Sequence, residues 1–369
     1  MRRNSAALTM ETLIPLSQLC YDLTMSTVPR PTVDPPKRKA RKLRCLAVAA
    51  ALLFSAPLQA QDVHVRVSPD LTAATADNTG FPTIQMALDH SPQPGPAGRL
   101  HIEIAPGIYH ERVFVTENRP RTTLLGTGAD PGKVVISAAQ NAKRAGGTFF
   151  TSTIQVSGEA FQADNLTFEN TAGNTGQAVA ITVRSDRAIF KRCRFLGDQD
   201  TLFSDFGRQY FLDSYIQGGV DFIFGNAAAV FDNSEIHIIC PGYLTAQSRV
   251  SAEQKTGYVF HRARITAEDL HGKFFYLGRP WRPFSRVVFL DCALPASLSP
   301  QGWSPWTPGS TIEHTYYAER GGEGPGANVQ SRLAGSHQLT AAEAATFTTR
   351  KFLAGFDHWD PIAEAARLP

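Results

Sequence analysis

Three aspartates between Gly197 and Gly225 are the residues of this sequence best suited to acid and base chemistry. Asp198 and Asp200 lie in the segment GDQDTL, and Asp221 begins the segment DFIFG. These segments are rich in apolar residues and glycine, where a carboxylate is costly unless another group pairs with it or uses it. Two carboxylates held close together cannot both ionise easily, so one keeps a proton and can act as an acid while the other stays charged.

A short apolar pattern that recurs every 20 to 29 residues predicts how these aspartates are positioned. An aromatic residue is followed five positions later by a second large apolar residue in the segments that begin at Phe190, Phe211, Phe231, Phe260 and Phe289. This spacing is short for a helical crossover at each step but suits stacked coils of strands and turns. We therefore predict an all-β fold, a right-handed parallel β-helix (solenoid), with short capping helices near both ends.

The repeat predicts that Asp200 and Asp221 are neighbours. Asp200 lies five residues after Phe195, and Asp221 lies five residues after Ile216, so the two aspartates occupy the same position on consecutive coils. Their backbones should then lie about 4.8 Å apart, the spacing of paired strands. The alternative is a row of polar residues on a solvated turn, where Asp is common; we assign this simpler explanation to Asp198.

Outside the repeat, the sequence predicts several further elements. Thr83 to His90 has the capping residue and apolar face of a helix that closes one end of the solenoid. Residues 101–115 read as two strands around a Pro-Gly turn, and residues 339–349 read as a second amphipathic helix.

Residues 1–60 have the composition of an N-terminal extension with a secretory signal. A basic stretch at residues 37–44 precedes an apolar run of about ten residues, and small residues follow up to Ala60. Met25 is an alternative start. We therefore expect cleavage near Ala60, a single β-helix domain over residues 61–369, and secretion to the periplasm or the medium.

The charge of the exported part excludes some partners. Residues 1–60 hold nine Lys and Arg and three Asp and Glu, so the +3 net charge of the whole chain becomes −3 for the remainder. This balance argues against nucleic-acid binding. An odd number of cysteines without a CxxC motif argues against a metal site, and Cys193 and Cys292 are four coils apart, so we expect free thiols.

Amide, arginine and aromatic side chains are expected around the acid pair. Gln177 and Gln199 could donate hydrogen bonds to a developing oxyanion without carrying charge. Arg279 has the planar fork that grips a carboxylate through two hydrogen bonds and keeps it ionised. Phe224 and Trp281 could present aromatic faces to sugar rings, although such residues are more often part of a core.

Five segments, in this order, resemble the pectinesterase (pectin methylesterase) family of carbohydrate esterases: GIYHE (107–111), QAVA (177–180), GDQDTL (197–202), DFIFG (221–225) and LGRPW (277–281). The resemblance extends from about Thr83 to Pro361. It implies a parallel β-helix and hydrolysis of the methyl esters on galacturonate units of pectin, releasing methanol, without a cofactor or a metal. It also implies pectin as the partner, and we expect a monomer that contacts no membrane once the signal is removed.

The resemblance also assigns roles to individual residues. Asp221 would be the nucleophile and Asp200 the general acid and then the base. Gln177 and Gln199 would form the oxyanion hole, and Arg279 would orient Asp221. Thr148, Phe224 and Trp281, together with Gln177 and Arg279, would line the substrate groove.

Other functions of the same scaffold stay open from the sequence. A β-helical pectin glycosidase or lyase would also use clustered carboxylates, but an oxocarbenium ion has no oxyanion for the two glutamines to hold. A thioesterase and a non-catalytic wall-binding protein are further alternatives. The serine-hydrolase motif GxSxG is absent from the sequence.

Overall fold

The computed structural model describes residues 61–369, and the predicted extension and signal, residues 1–60, lie outside the described residues. In the part of the chain described, every pairing between named strands is parallel. Between residues 100 and 278 each coil contributes strands to three faces, which the chain visits in turn. This is the predicted parallel β-helix.

The first face contains the strands Gly80–Phe81, Val63–Val67, Leu100–Ile104, Thr122–Gly126, Gln162–Asp164, Ala188–Lys191, Arg208–Leu212, Ala228–Asp232, Gly257–His261, Arg286–Leu290, Tyr316–Arg320 and His337–Gln338, in this spatial order. The second contains Gly107–His110, Val134–Ala138, Thr167–Asn170, Arg194–Leu196 and Arg264–Ala267. The third contains Val113–Val115, Ile154–Val156, Ile181–Val183, Leu202–Ser204 and Tyr276–Gly278. Two long strands, Tyr215–Gly225 and Glu235–Gln247, run from the second face into the third.

Stacked aromatic rings fill the inside of the solenoid. The five phenylalanines of the sequence repeat face one another in register, with ring centroids 4.9, 4.7, 4.6 and 4.4 Å apart and nearly parallel planes: Phe190, Phe211, Phe231, Phe260 and Phe289. The second residue of each repeat pairs in the same way, for example Phe195 with Ile216. The period detected in the sequence is therefore the coil, and its apolar positions form the core.

A left-handed residue turns the chain between the first and second faces in six coils. These residues have φ values of 50° to 60° and are Asn165, Arg192, Asp213, Asn233, Arg262 and Asp291. Asn and Asp adopt this conformation more readily than most residues. The next position faces inward, and hydroxyl groups there link coils: Ser214 Oγ accepts from the Cys193 N–H at 3.2 Å.

The predicted N-terminal helix is present at Ile84–His90, and Thr83 Oγ1 accepts a hydrogen bond from the Met86 N–H at 3.2 Å. Its buried side chains, Ile84, Ala87 and Leu88, pack onto the first coils. The prediction of two strands over residues 101–115 was wrong. Three strands lie there, because the chain turns a second time after His110 and passes to the third face.

The prediction of one helix over residues 339–349 was also wrong. The helices in this region are Ala341–Ala344 and Thr349–Leu353, followed by Pro361–Ala365. Phe347 lies between the first two and is buried, so the chain bends to follow the outer surface of the first face. The C-terminal segment therefore covers an apolar surface that this face would otherwise expose to water.

The remaining helices are the α-helix Ala142–Ala145 and the 3-10 helices Pro131–Lys133, Thr148–Phe150, Pro325–Ala327 and Val329–Ser331. Cys193 and Cys292 are free thiols, as predicted, and Cys240 is a third. Among residues 61–369, the helices are too short or too polar to cross a bilayer.

Candidate active site

Asp200 and Asp221 occupy matching positions on consecutive coils. The pairs on either side of them, Phe195 with Ile216 and Leu202 with Ile223, have the same offset of 21 residues. The Asp200 N–H donates to the carbonyl oxygen of Val220 at 3.1 Å, which joins the two coils at this point. The predicted neighbourhood of the two aspartates is confirmed.

Both aspartates are turn residues as well as acids. Asp200 has a φ of 64° and Asp221 a φ of 50°, in the left-handed region. The long strand Tyr215–Gly225 shifts register immediately before and after this point, between Gly218 and Val220 and between Val220 and Ile223. The chain is thus bent where it passes from the second face to the third, and the bend determines where the carboxyl groups lie.

Arg279 grips Asp221 with two hydrogen bonds. Its Nε donates to Oδ1 at 2.9 Å and its Nη2 donates to Oδ2 at 2.6 Å. The guanidinium group lies between two aromatic rings, 4.0 Å from the centroid of Tyr243 and 4.3 Å from that of Trp306. Two rings and a carboxylate together fix the orientation of the arginine.

The surroundings separate the proton affinities of the two acids. Asp200 is 8% exposed, and burial raises its pKa to about 8, with a further increase from the charge of Asp221 that Arg279 opposes. Burial also raises the pKa of Asp221 above its usual value, and the hydrogen bonds and charge of Arg279 limit this increase. Because the arginine is bonded to Asp221, this carboxyl group ionises first. The arrangement therefore favours a protonated Asp200 beside an ionised Asp221.

The two glutamines lie on the same side of the solenoid as the acids. The backbone carbonyl of Gln199 accepts from the Ala178 N–H at 3.0 Å, and that of Gln177 accepts from the Ala142 N–H at 2.8 Å. These bonds hold the backbone of each glutamine against a neighbouring segment. Both residues line the cleft that contains the aspartates.

Aromatic side chains form one wall of this cleft. Phe224 stacks on Phe203 with centroids 4.6 Å apart, and the ring of Trp281 lies 6.0 Å from Phe224. Phe149 extends the wall towards solvent and is 48% exposed. Such a wall offers flat apolar faces beside charged groups, an arrangement suited to sugar rings.

The cleft has a volume of about 250 Å³ and brings together all eight site residues proposed from the sequence: Thr148, Gln177, Gln199, Asp200, Asp221, Phe224, Arg279 and Trp281. Asp198 is half-buried and is not among the residues that line it. A wider groove of about 640 Å³ lies elsewhere, but three of its four arginines are paired with carboxylates. The smaller cleft therefore contains the groups suited to hydrolysis.

Sequence reasoning missed four residues at or beside the cleft: Phe149, Tyr243, Ala246 and Trp306. Phe149 follows Thr148 directly, so adjacency could have indicated it. Tyr243 is on the next coil, where it pairs with Val220, the residue before Asp221. Extending the register by one coil would have found it. Trp306 lies outside the described strands, and the repeat carries no signal for its position.

The architecture defines the class of this protein as a parallel β-helix with an acid pair in a lateral cleft. Residues 70–356 match the family model described as Pectinesterase, and the chain belongs to this family. It is 38% identical over 294 residues to Pectinesterase 31 of Arabidopsis thaliana, covering 77% of this chain and 92% of that protein. The chain spans about half the length of several pectinesterase/pectinesterase inhibitor relatives from the same plant.

Solved structures show the same fold. The pectin methylesterase from carrot has a TM-score of 0.76 and 32% identity, covering 83% of this chain and 97% of that chain. A pectin methylesterase solved in complex with a hexasaccharide has a TM-score of 0.65 and 28% identity, covering 82% and 99%. The family expected from the five sequence segments is confirmed.

Proposed function

We propose that this protein is a pectin methylesterase, which hydrolyses the methyl esters of galacturonate units in pectin to give pectate and methanol. The observation that carries this proposal is the pair of acids on consecutive coils, with Asp221 held by two hydrogen bonds from Arg279 and the buried carboxyl group of Asp200 beside it. Membership of the pectinesterase family supports the choice of substrate, as does the similarity to a pectin methylesterase solved in complex with a hexasaccharide.

In the first step a carboxylate oxygen of Asp221 attacks the carbonyl carbon of the methyl ester. The amides of Gln177 and Gln199 stabilise the tetrahedral oxyanion. When the intermediate collapses, the bond to the methoxy oxygen breaks and Asp200 gives its proton to that oxygen. Methanol leaves, and the galacturonate acyl group is joined to Asp221 as a mixed anhydride.

In the second step Asp200, now ionised, takes a proton from a water molecule. The hydroxide that forms adds to the galacturonate carbonyl, and the bond to Asp221 breaks. This releases the free acid, restores the carboxylate of Asp221 beside Arg279, and leaves Asp200 protonated for the next cycle. Every proton transfer in this scheme is made by Asp200 or by water.

The aromatic wall and Thr148 would bind the polysaccharide on either side of the reacting ester. Phe224 and Trp281 offer faces for sugar rings, and the hydroxyl of Thr148 offers a hydrogen-bonding group at the rim. Phe149 and Trp306, which sequence reasoning missed, would extend this surface.

The test measures methanol release from highly methylated pectin by the wild type and by Asp221→Asn. We expect a loss of at least about 10³-fold in the variant, because the amide cannot act as the nucleophile. The matched control is Asp213→Asn, an exposed aspartate with the same φ of 50°, which should keep the wild-type rate.

The same assay distinguishes the alternatives. An unchanged rate in Asp221→Asn would refute the assignment of the nucleophile. Loss of viscosity and chain length without methanol would indicate a glycosidase or lyase. Turnover of an acyl thioester but not of methylated pectin would indicate a thioesterase, and binding without any turnover would indicate a wall-binding protein.

We further propose that residues 1–60 are an extension with a secretory signal, that residues 61–369 form the single exported domain, and that the exported protein is a monomer with no nucleic-acid or membrane partner. The charge and apolar patterns of the first 60 residues support export. N-terminal sequencing of the secreted protein should give Gln61 as the first residue. A mature chain that retains the basic stretch would contradict this assignment.

A further inference from the structure

Two histidines face each other on the outer surface of the first face, at the N-terminal end of the solenoid. His64 and His101 are direct register partners in the neighbouring strands Val63–Val67 and Leu100–Ile104. Their rings are stacked, with centroids 4.5 Å apart and planes at 4°. Parallel pairing thus places two imidazoles next to each other at the protein surface.

A carboxylate completes the group. Asp62 precedes His64 by two residues, and its Oδ1 accepts a hydrogen bond from the Arg99 N–H at 2.8 Å. This bond holds the carboxylate on the neighbouring strand, where Oδ2 lies 3.6 Å from Nε2 of His101. One ligand atom from each of Asp62, His64 and His101 lies within 4.8 Å of the other two.

We propose that Asp62, His64 and His101 bind a divalent transition-metal ion, with Zn²⁺ as the reference ligand. Two imidazole nitrogens and one carboxylate oxygen suit Zn²⁺ and also Co²⁺, Ni²⁺ and Cu²⁺, whereas Ca²⁺ and Mg²⁺ prefer oxygen ligands alone. Ligand atoms around tetrahedral zinc lie about 3.4 Å apart, given bonds of about 2.1 Å. Small side-chain rotations of these surface residues close that distance, and water would fill the remaining position.

The guanidinium group of Arg99, whose backbone N–H binds Asp62, is directed away from the histidines. Nη1 of Arg99 donates to Thr123 Oγ1 at 3.3 Å and to the carbonyl of Ala160 at 2.9 Å, while Nη2 lies 3.5 Å from Oε1 of Glu364. The guanidinium group is therefore engaged along the outer surface, and Glu364 offsets part of its charge.

The metal site shares no residue with the cleft of Asp200 and Asp221, and the proposed ester hydrolysis uses no metal. The ion would instead link the strands Val63–Val67 and Leu100–Ile104, at the end of the solenoid where fewer neighbouring coils support them. The cysteine pattern argued against a metal site, and this histidine site could not be predicted because the two histidines are 37 residues apart and meet only through strand pairing.

The experiment titrates chelator-treated protein without a histidine tag with ZnCl₂ by isothermal calorimetry. We expect one Zn²⁺ per chain with a Kd on the order of micromolar, and at least a tenfold weaker Kd in His64→Gln and in His101→Gln. His271→Gln is the matched control, since His271 also lies near an aspartate, 3.4 Å from Asp269. That variant should bind Zn²⁺ like the wild type.

Two further readouts report the site itself. Co²⁺ should give a visible absorption band in the wild type and in His271→Gln, and none in the two site variants. Saturating Zn²⁺ should raise the Tm of the wild type by about 2–4 °C and leave the Tm of the site variants unchanged. Methanol release should be the same with and without Zn²⁺.

Circular dichroism checks that the variants are folded, and both histidines are at the surface, so their substitution should not unfold the chain. Wild-type binding weaker than about 100 μM would overturn the proposal, as would equal Zn²⁺ affinity in the wild type and both site variants. If His271→Gln also lost Zn²⁺ binding, the ion would lie elsewhere in the protein.

Discussion

Asp200 is kept protonated by its surroundings at a pH where an ordinary aspartate is ionised. Burial and the charge of Asp221 raise its pKa from 3.8 to about 8. The folded state therefore binds a proton that the unfolded chain releases above pH 3.8. This contribution to stability is present at low pH and is lost as the pH rises towards 8.

The proposed acid gives a pH-dependent prediction for Asp200→Asn. In the wild type, kcat/KM should fall as the pH rises through about 8, because Asp200 loses the proton that it donates to the leaving methoxy oxygen. The variant should lose about 10²- to 10⁴-fold in kcat. It should also have a higher Tm than the wild type at pH 8, and the difference should shrink towards pH 4.

Methanol release between pH 5 and 10 and thermal unfolding at pH 4 and pH 8 check these statements. A difference in Tm that does not change with pH would show that the raised pKa of Asp200 does not exist.

The variant Arg279→Lys tests the two hydrogen bonds from Arg279 to Asp221. Lysine keeps the charge but cannot make two parallel hydrogen bonds to Asp221 or lie flat between Tyr243 and Trp306. We expect a decrease of at least tenfold in kcat, measured by methanol release under saturating pectin. The control is Arg282→Lys, an exposed arginine that contacts the ring of Trp281, which should retain wild-type kcat; equal losses in both variants would argue against a specific fork.

At the residue scale, the repeat and the motifs were sufficient to find the acids. The register of Asp200 and Asp221 follows from apolar positions five residues earlier. The two aspartates lie at matching positions on consecutive coils, as predicted. The ring of Trp306 over Arg279 could not be predicted in this way. It comes from a segment outside the repeat, where contacts depend on tertiary packing that no local period records.

At the scale of the element, the stacked phenylalanines make one position suitable for a stability test. Phe231 is fully buried between Phe211 and Phe260, with centroids 4.7 and 4.6 Å away. Phe231→Ala should lower the free energy of unfolding by about 3–5 kcal/mol, since it removes a large side chain from a close-packed stack. Urea unfolding measures this value.

Phe206→Ala is the matched control, because that ring is 64% exposed. We expect a change below about 0.5 kcal/mol there. A loss in Phe231→Ala as small as in the control would mean that the stack does not contribute to stability.

Strand positions were predictable because each coil repeats the same apolar pattern. The errors fell where the pattern is interrupted. Residues 101–115 contain one turn more than predicted, because the turn after His110 consists of Glu111 and Arg112 and has no Gly or Pro to mark it. Residues 339–349 have helical composition, but burial of Phe347 against the first face stops a continuous helix.

At the scale of the whole molecule, the C-terminal segment protects an apolar surface. Ile189, Val230, Val259 and Val288 lie on the outer side of the first face and pack against this segment, which includes Leu353 and other buried residues. Parallel strands covered on both sides are apolar on both sides. The chain therefore needs its last thirty or so residues to cover the outer side of the first face.

A chain that ends at Gln338 should expose this surface. We expect it to bind a hydrophobic dye and to elute as oligomers or aggregates in size-exclusion chromatography. Phe356→Ala, which changes a 95% exposed ring of the same segment, should leave the full chain unaffected. A truncated chain that stays monomeric with an unchanged Tm would show that the segment is dispensable.

The bond between Asp221 and Arg279 joins residues 58 positions apart, and this separation affects biosynthesis. On the ribosome, a nascent chain that has just gained Asp221 lacks its counter-ion for the time needed to add those 58 residues. Polypeptides cut between the two positions would have to bury this carboxylate without a cation or leave its coil unformed. The ion pair of the candidate site can therefore form only once Arg279 has been added, when the strands Arg286–Leu290, Tyr316–Arg320 and His337–Gln338 are still to be synthesised.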